Sequence, residues 1–165
     1  MIHRPRAVQN LHYRPKVQYP LPACLTIVRL VNQARPLIAV VDDEEPVRIA
    51  LRRLLRSADF EVEMFPSGAE FLDSLKSHQP ACLVLDLHMP RVNGFAVLTR
   101  LAEAGTGPPV VVITGHDSFE TNTRALAGGV SAYLRKPVDG EALLKAINYA
   151  IKHPLETLAN HETED

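Results

Sequence analysis

The sequence predicts an α/β protein with a doubly wound, five-stranded parallel sheet in the order 2-1-3-4-5 and helices on both faces. Two observations lead to this prediction. From residue 36 onward, stretches of strand character alternate five times with stretches of helical periodicity, without an internal repeat. Three of the five strand segments are apolar throughout, whereas the second alternates apolar with acidic residues, so we expect the second strand at an edge.

The first two β–α units show clear strand and helix signals. Leu37–Val41 is a continuous apolar run, which suits a strand covered on both faces. The following helix has Pro46 in its first turn. Its apolar stripe is expected to face the core and consists of Val47, Ala50, Leu51, Leu54 and Ala58. Residues 60–64 (FEVEM) form the alternating strand, and Ser67 with Glu70 matches a capping box. That box opens a helix expected to bury Phe71, Leu72 and Leu75.

The last three units follow the same pattern. Strands are predicted at residues 82–85, 109–113 and 130–134, and helices at residues 95–101 and around residues 119–127. Asp139 is expected to cap a final helix. The apolar face of that helix consists of Leu143, Ile147, Ala150 and Ile151. Gly128 and Gly129 fit a helix end, and they lack the spacing of a phosphate-binding loop.

The chain divides by composition into three segments. Residues 1–35 hold six basic residues, no carboxylate and several prolines, and we expect them to be disordered. Their charge suits nucleic acid or an acidic partner, while the simpler alternatives are an unstructured leader or a wrongly placed translation start. Residues 36–152 are predicted to form the folded domain. Residues 153–165 are expected to be a short acidic tail, too short for a helix-turn-helix or another output domain.

Charge and cysteine usage narrow the class of protein. The whole chain has a net charge of −1, which excludes a strongly basic nucleic-acid coat or an acidic tail protein. Cys24 and Cys82 lack metal-ligand spacing, so we predict a reduced, cytoplasmic setting, with Cys82 as a small core residue. The apolar stretch at residues 21–31 is short and contains Arg29, so no membrane span or secretory signal is predicted.

The predicted strand order also predicts where a ligand would bind. In open α/β sheets, ligands bind beyond the carboxyl ends of the strands, where the strand order reverses, which here lies between the first and third strands. Five polar side chains follow or end the strands that meet there. They are Asp42, Asp43, Asp86, Thr114 and Lys136. Any one of these residues alone is most simply explained as an ordinary loop residue. The presence of all five at the same edge of the predicted sheet favours a functional site.

The chemistry of these five residues points to phosphoryl transfer. Carboxylates brought close together repel one another, and a hard divalent cation such as Mg²⁺ removes that cost by binding their oxygens. The Lys136 ammonium and the Thr114 hydroxyl would complete a pocket for the oxygens of a phosphoryl group. Transfer of that group requires in-line positioning and neutralised charge. A carboxylate held beside Mg²⁺ can then act as the nucleophile and form an aspartyl phosphate.

Four motifs resemble those of response regulator receiver domains, notably the FixJ-type branch. They are VDDE at residues 41–44, LDLHMP at residues 85–90 with Gly94, VITG at residues 112–115 and YLRKP at residues 133–137. The resemblance covers about residues 36–152. It implies that Asp86 accepts a phosphoryl group from a phosphohistidine on a sensor histidine kinase or a phosphotransfer protein, and that the protein is not otherwise an enzyme.

The same resemblance assigns roles to the surrounding residues. Asp43, Asp86 and the backbone carbonyl of His88 would ligate Mg²⁺ directly, and Asp42 would act through water. Thr114 and Lys136 would hold the phosphoryl oxygens, and Tyr133 would be the switch aromatic, turning inward once Thr114 moves toward the phosphate. The Lys136–Pro137 bond would be cis. Phosphorylation would repack the surface at residues 117–152, through which a downstream protein is contacted.

Two histidines depart from common choices in the family. His88 and His116 lie two residues beyond Asp86 and Thr114, at positions that in the family tune hydrolysis of the aspartyl phosphate. Three interpretations remain open: a pH-dependent tuning role, since imidazole titrates near neutrality, a transition-metal site formed with the acidic cluster, and two exposed histidines without a special role.

The predicted function is that of a stand-alone receiver that signals by protein–protein contact. A phosphorelay intermediate or phosphate sink is the alternative within the same class. A metal-dependent phosphohydrolase is the alternative from a different class, but it would need a separate general acid or base and a substrate cap, and no insertion is long enough to form a cap.

Overall fold

The computed structural model describes residues 35–90, 92–115 and 118–154, and the elements below are those of this part of the chain. Five strands alternate with five helices. The strands are β1 (Leu37–Val41), β2 (Glu61–Phe65), β3 (Cys82–Asp86), β4 (Val110–Thr114) and β5 (Ala132–Arg135). The helices are α1 (Glu45–Ser57), α2 (Gly68–Ser74), α3 (Gly94–Ala104), α4 (Phe119–Ala127) and α5 (Gly140–Lys152). The expectations for residues 1–34, for His116 and for residues 155–165 lie outside the described residues.

The five strands form one parallel sheet in the order β2-β1-β3-β4-β5, so the predicted fold class and strand order are confirmed. The alternating strand β2 lies at an edge, as its half-polar pattern predicts. β3 and β4 lie inside the sheet and are buried along their whole length. Several boundaries differ from the predicted ones by one to three residues, because hydrophobic pattern locates an element better than its ends.

Side-chain caps fix the beginnings of four helices. The Ser67 hydroxyl accepts the backbone N–H of Glu70, and the Asp139 carboxylate accepts the N–H of Ala142 at 2.8 Å, as the two predicted caps require. The side chains of Asn93 and Ser118 do the same for α3 and α4. α1 has no side-chain cap, but a proline occupies its first turn.

Two apolar layers cover the faces of the sheet. The first joins one face to α2, α3 and α4 and includes Phe71 and Val97, and the second joins the other face to α1 and α5 and includes Leu55 and Ile147. One predicted core residue is wrong: Ala50 is exposed, and Leu55 is buried in its place among the residues of α1. The buried residues of α1 are Leu51 and Leu55, four positions apart on one face of the helix. In the described part of the chain, no helix is long and apolar enough to cross a membrane.

Candidate functional site

The parallel register brings the ends of four strands together at one edge of the sheet. Asp42 directly follows β1, Asp86 ends β3, and Thr114 ends β4. Asp86 pairs in register with the residue before Thr114, and Thr114 pairs with the last residue of β5, which Lys136 follows. The structure therefore places the predicted site residues at the carboxyl ends of β1, β3, β4 and β5.

Three carboxylates converge at this edge. Asp42, Asp43 and Asp86 each offer one oxygen, and these oxygens all lie within 4.8 Å of one another. The side chains of Asp42 and Asp86 are buried, with relative exposures of 0% and 3%, whereas Asp43 is exposed. The cluster therefore joins two buried acids to one that solvent reaches, Asp43.

The Lys136 ammonium lies among these acids and is the cation that neutralises them within the described residues. Its Nζ atom lies 2.8 Å from Oδ2 of Asp42 and donates to Oδ2 of Asp86 at 2.8 Å. It also donates to Oε1 of Glu44 at 3.2 Å. Only 15% of the Lys136 side chain is exposed, so the charge is held in the cluster rather than in water.

Burial and the lysine act on the pKa values in opposite directions. Burial raises the pKa of Asp42 above its ordinary value, and hydrogen bonding and charge from Lys136 offset this only in part. For Lys136, burial acts to lower the pKa, but the hydrogen bonds and charges of Asp42 and Asp86 together outweigh it and raise the pKa. The lysine is therefore firmly charged, and it favours the ionised form of Asp42, which burial opposes.

The loop after β1 is held by an arginine that the sequence analysis did not single out. The Arg48 guanidinium donates to the backbone carbonyls of Asp42 at 2.6 Å and Asp43 at 2.9 Å. The backbone N–H of Glu44 donates to Oδ1 of Asp42 at 2.8 Å. The position of Arg48 in the first turns of the helix after the acidic motif was the available signal, because that side chain can reach back to the loop.

The loop after β3 fixes the orientation of Asp86. The backbone N–H of His88 donates to Oδ1 of Asp86 at 3.0 Å, while Lys136 contacts the other carboxylate oxygen. Gly94 lies against this loop, and its N–H donates to the carbonyl of Leu87 at 3.1 Å. A Cβ atom at Gly94 would lie 2.6 Å from the Cα atom of Leu87, so only glycine permits this close approach.

Thr114 and Tyr133 lie on the fourth and fifth strands. Oγ1 of Thr114, which is fully buried, lies 2.8 Å from Nδ1 of His88. Tyr133 is half-buried, and its ring packs against the apolar layer that α2, α3 and α4 cover. The Lys136–Pro137 peptide bond is cis, as the family resemblance implies. Of the two histidines singled out in the sequence, His88 therefore contacts the predicted site residue Thr114, whereas His116 lies outside the described residues.

The donor set fits a hard divalent cation. The side-chain donors grouped at the cluster are three carboxylates, and buried carboxylates of like charge need a compensating cation. Asp42, Asp43 and Asp86 would hold Mg²⁺, with Lys136 as the second positive charge. The predicted carbonyl ligand at His88 belongs to a loop already bonded to Asp86. A separate cleft of about 750 Å³ is lined by residues that precede β3 and β4, so it lies at the opposite ends of the strands and contains none of the site residues.

Comparisons with known proteins identify a family for most of the described part. Residues 38–148 match the family described as response regulator receiver domain. Response regulator protein TodT of Pseudomonas putida is 34% identical over 135 residues, which cover 82% of this chain and 58% of TodT. Response regulator MprA of Mycobacterium avium is 41% identical over 107 residues, which cover 65% of this chain and 47% of MprA. The chain spans about half the length of these curated relatives.

A solved structure supports the same assignment. The crystal structure of FixJ-N superposes with a TM-score of 0.68 and 32% sequence identity, and the match covers 74% of this chain and 98% of that one. The similarity therefore includes nearly the whole of that receiver structure.

Proposed function

The chain belongs to the family of response regulator receiver domains of two-component systems, and on that premise we propose that it accepts a phosphoryl group on Asp86 and switches a protein-binding surface. The donor would be a phosphohistidine on a sensor histidine kinase or a phosphotransfer protein. The observation that carries the proposal is the convergence of three carboxylates, one lysine and one buried threonine at a single edge of the sheet.

Asp86 is the best placed nucleophile of the three acids. It ends the central strand β3, and both of its carboxylate oxygens are oriented, one by the N–H of His88 and the other by Lys136. In the proposed step, one Asp86 oxygen attacks phosphorus in line with the P–N bond of the phosphohistidine. That bond breaks as the O–P bond forms, and the released imidazole takes up a proton.

The other residues position and neutralise the transferred group. Lys136 is firmly charged and would hold one phosphoryl oxygen, and the Thr114 hydroxyl would donate to another. Asp42, Asp43, Asp86 and the carbonyl of His88 would hold Mg²⁺, Asp42 through a water molecule. Mg²⁺, when bound, supplies neutralisation of the charge on the phosphoryl oxygens.

The output would be a change at the surface formed by residues 117–152. Once Thr114 moves toward the phosphoryl group, the Tyr133 ring, which packs against the apolar layer, would turn inward. Phosphorylation adds close to two negative charges. It therefore favours the conformation of the domain that binds these charges better than the resting conformation does. A downstream protein that binds this surface would therefore distinguish the two states.

The place of the chain in signalling is also a proposal. We favour a stand-alone switch in the cytoplasm that acts by protein contact, although TodT and MprA are longer than the part they share with this chain. A relay intermediate would instead pass the phosphoryl group to a second histidine. His88 and His116 would tune the lifetime of the aspartyl phosphate; for His88, the observation in favour is its contact with Thr114.

Intact-mass spectrometry after incubation with acetyl phosphate tests the proposal. The wild-type protein should gain one phosphoryl group in the presence of Mg²⁺ and none with a chelator. Asp86→Asn should gain none, whereas Asp73→Asn, which removes an exposed acid on α2, should behave as the wild type. A wild-type protein without an adduct that also fails to bind beryllofluoride would refute a phosphoacceptor function.

A further inference from the structure

A side-chain hydrogen bond joins His88 to Thr114 across the edge of the site. Nδ1 of His88 and Oγ1 of Thr114 are 2.8 Å apart, which is an ordinary hydrogen-bond distance. His88 belongs to the loop after β3, whereas Thr114 ends β4. The bond therefore joins the loop that follows Asp86 to the end of the neighbouring strand. One partner is fully buried and the other is exposed.

The backbone and the side chain of His88 have separate tasks. The backbone N–H donates to Asp86, so it orients the carboxylate whatever side chain is present. The neighbouring Leu87 and Met89 are buried, with relative exposures of 1% and 6%, and anchor the loop on both sides of His88. Replacing the imidazole therefore removes its bond to Thr114 and leaves the backbone bond to Asp86 in place.

The Thr114 hydroxyl cannot serve the imidazole and a phosphoryl oxygen equally well. When Nδ1 of His88 carries no proton, the Thr114 hydroxyl donates its single proton to the imidazole, and its β-branched side chain adopts few staggered positions. In the proposed function this hydroxyl moves toward the phosphoryl group on Asp86. The structure instead places it at the imidazole, so activation has to exchange one partner for the other.

We propose that His88 is a positioning residue that holds Thr114 in its resting place and competes with the phosphoryl group for the Thr114 hydroxyl. This inference rests on the proposed function and adds the way in which the switch is restrained. A bond made only in the resting state lowers the population of the active state, and the apparent affinity for a phosphoryl group falls by the same factor.

Binding of beryllofluoride in the presence of Mg²⁺ measures this competition, and isothermal titration calorimetry gives the affinity. Loss of one neutral hydrogen bond predicts that His88→Leu binds beryllofluoride about twofold to tenfold more tightly. His88→Gln keeps a side chain able to bond Thr114 and should bind like the wild type. His78→Leu, an exposed control beyond the other end of the sheet, should also bind like the wild type.

A double-mutant cycle tests whether the effect acts through Thr114. In a Thr114→Val background, the His88→Leu substitution should change beryllofluoride affinity by less than about twofold, because the competing hydroxyl is gone. Mg²⁺ affinity without beryllofluoride should be the same in the wild type and in His88→Leu, since the proposed Mg²⁺ ligand at this residue is its backbone carbonyl.

The outcomes separate the inference from the proposed function. Wild-type binding of beryllofluoride with no gain in His88→Leu overturns the competition and leaves the phosphoacceptor function intact. An equal gain in the Thr114→Val background, or a matching gain in Mg²⁺ affinity, also overturns it. A wild-type protein that does not bind beryllofluoride refutes the proposed function and this inference with it.

Discussion

Replacing Lys136 with methionine should destabilise the protein most strongly at neutral pH and without Mg²⁺. The ammonium lies 2.8 Å from oxygens of both Asp42 and Asp86, and all three side chains are at least mostly buried. Removing one partner of a buried ion pair costs about 3–5 kcal/mol. Because the cluster opens to solvent at Asp43, we expect a loss of about 2–4 kcal/mol in the free energy of unfolding.

The sign of the pH dependence follows from Asp42. Burial raises its folded-state pKa above the unfolded value near 3.8, so between these values the folded state binds more protons. Stability therefore falls as pH rises through this window. Without Lys136 the pKa of Asp42 rises further and the window extends upward. The loss caused by Lys136→Met should thus be larger at about pH 7.5 than at about pH 5.

Urea unfolding at both pH values, with a chelator or with Mg²⁺, measures the free energy of unfolding and its dependence on pH and on the cation. Mg²⁺ should stabilise the variant more than the wild type, because the cation no longer competes with an ammonium for the same oxygens. Lys145→Met removes an exposed ion pair with Glu141 and should change stability by less than about 1 kcal/mol. A loss in Lys136→Met no greater than in this control, or one that neither pH nor Mg²⁺ alters, would refute the reasoning.

Three further predictions concern single residues. Gly94→Ala should lower the free energy of unfolding by about 1–3 kcal/mol, because the new Cβ would overlap the backbone after β3. The control Gly115→Ala, which places its Cβ where no other atom is near, should leave urea unfolding almost unchanged. Asp139→Ala should cost about 1 kcal/mol through loss of the α5 cap, and an unchanged unfolding midpoint would contradict this. Burial raises the pKa of the Cys82 thiol to about 12. In a Cys24→Ser background, a thiol reagent should therefore label Cys82 only after unfolding. Labelling of Cys82 in the native protein would contradict its burial.

Hydrophobic pattern was sufficient to predict the sheet and its order. Buried strands have continuous apolar sequences, and the half-polar strand predicted at residues 60–64 favoured an edge position, so few topologies remained. Helix faces were predicted less well, since Ala50 lies at core spacing but is exposed. The rotation of a helix on a sheet depends on how its larger side chains pack, which spacing alone does not determine.

The residues of the site could be predicted, but their contacts could not. Strand order places the acids, Thr114 and Lys136 at one edge, because parallel strands end on the same side. The reach of Arg48 back to two carbonyls and the bond from His88 to Thr114 depend on side-chain torsions. Such torsions are set by three-dimensional neighbours, so these two contacts were found only in the structure.

Identification of the phosphorylated residue tests the central claim most directly. Borohydride reduces an aspartyl phosphate to homoserine with release of phosphate, and peptide mass spectrometry then locates the altered residue. After phosphorylation with acetyl phosphate and Mg²⁺, we predict homoserine at position 86 and unmodified aspartate at Asp42 and Asp43. Homoserine at either of those two residues, with Asp86 unaltered, would contradict the account.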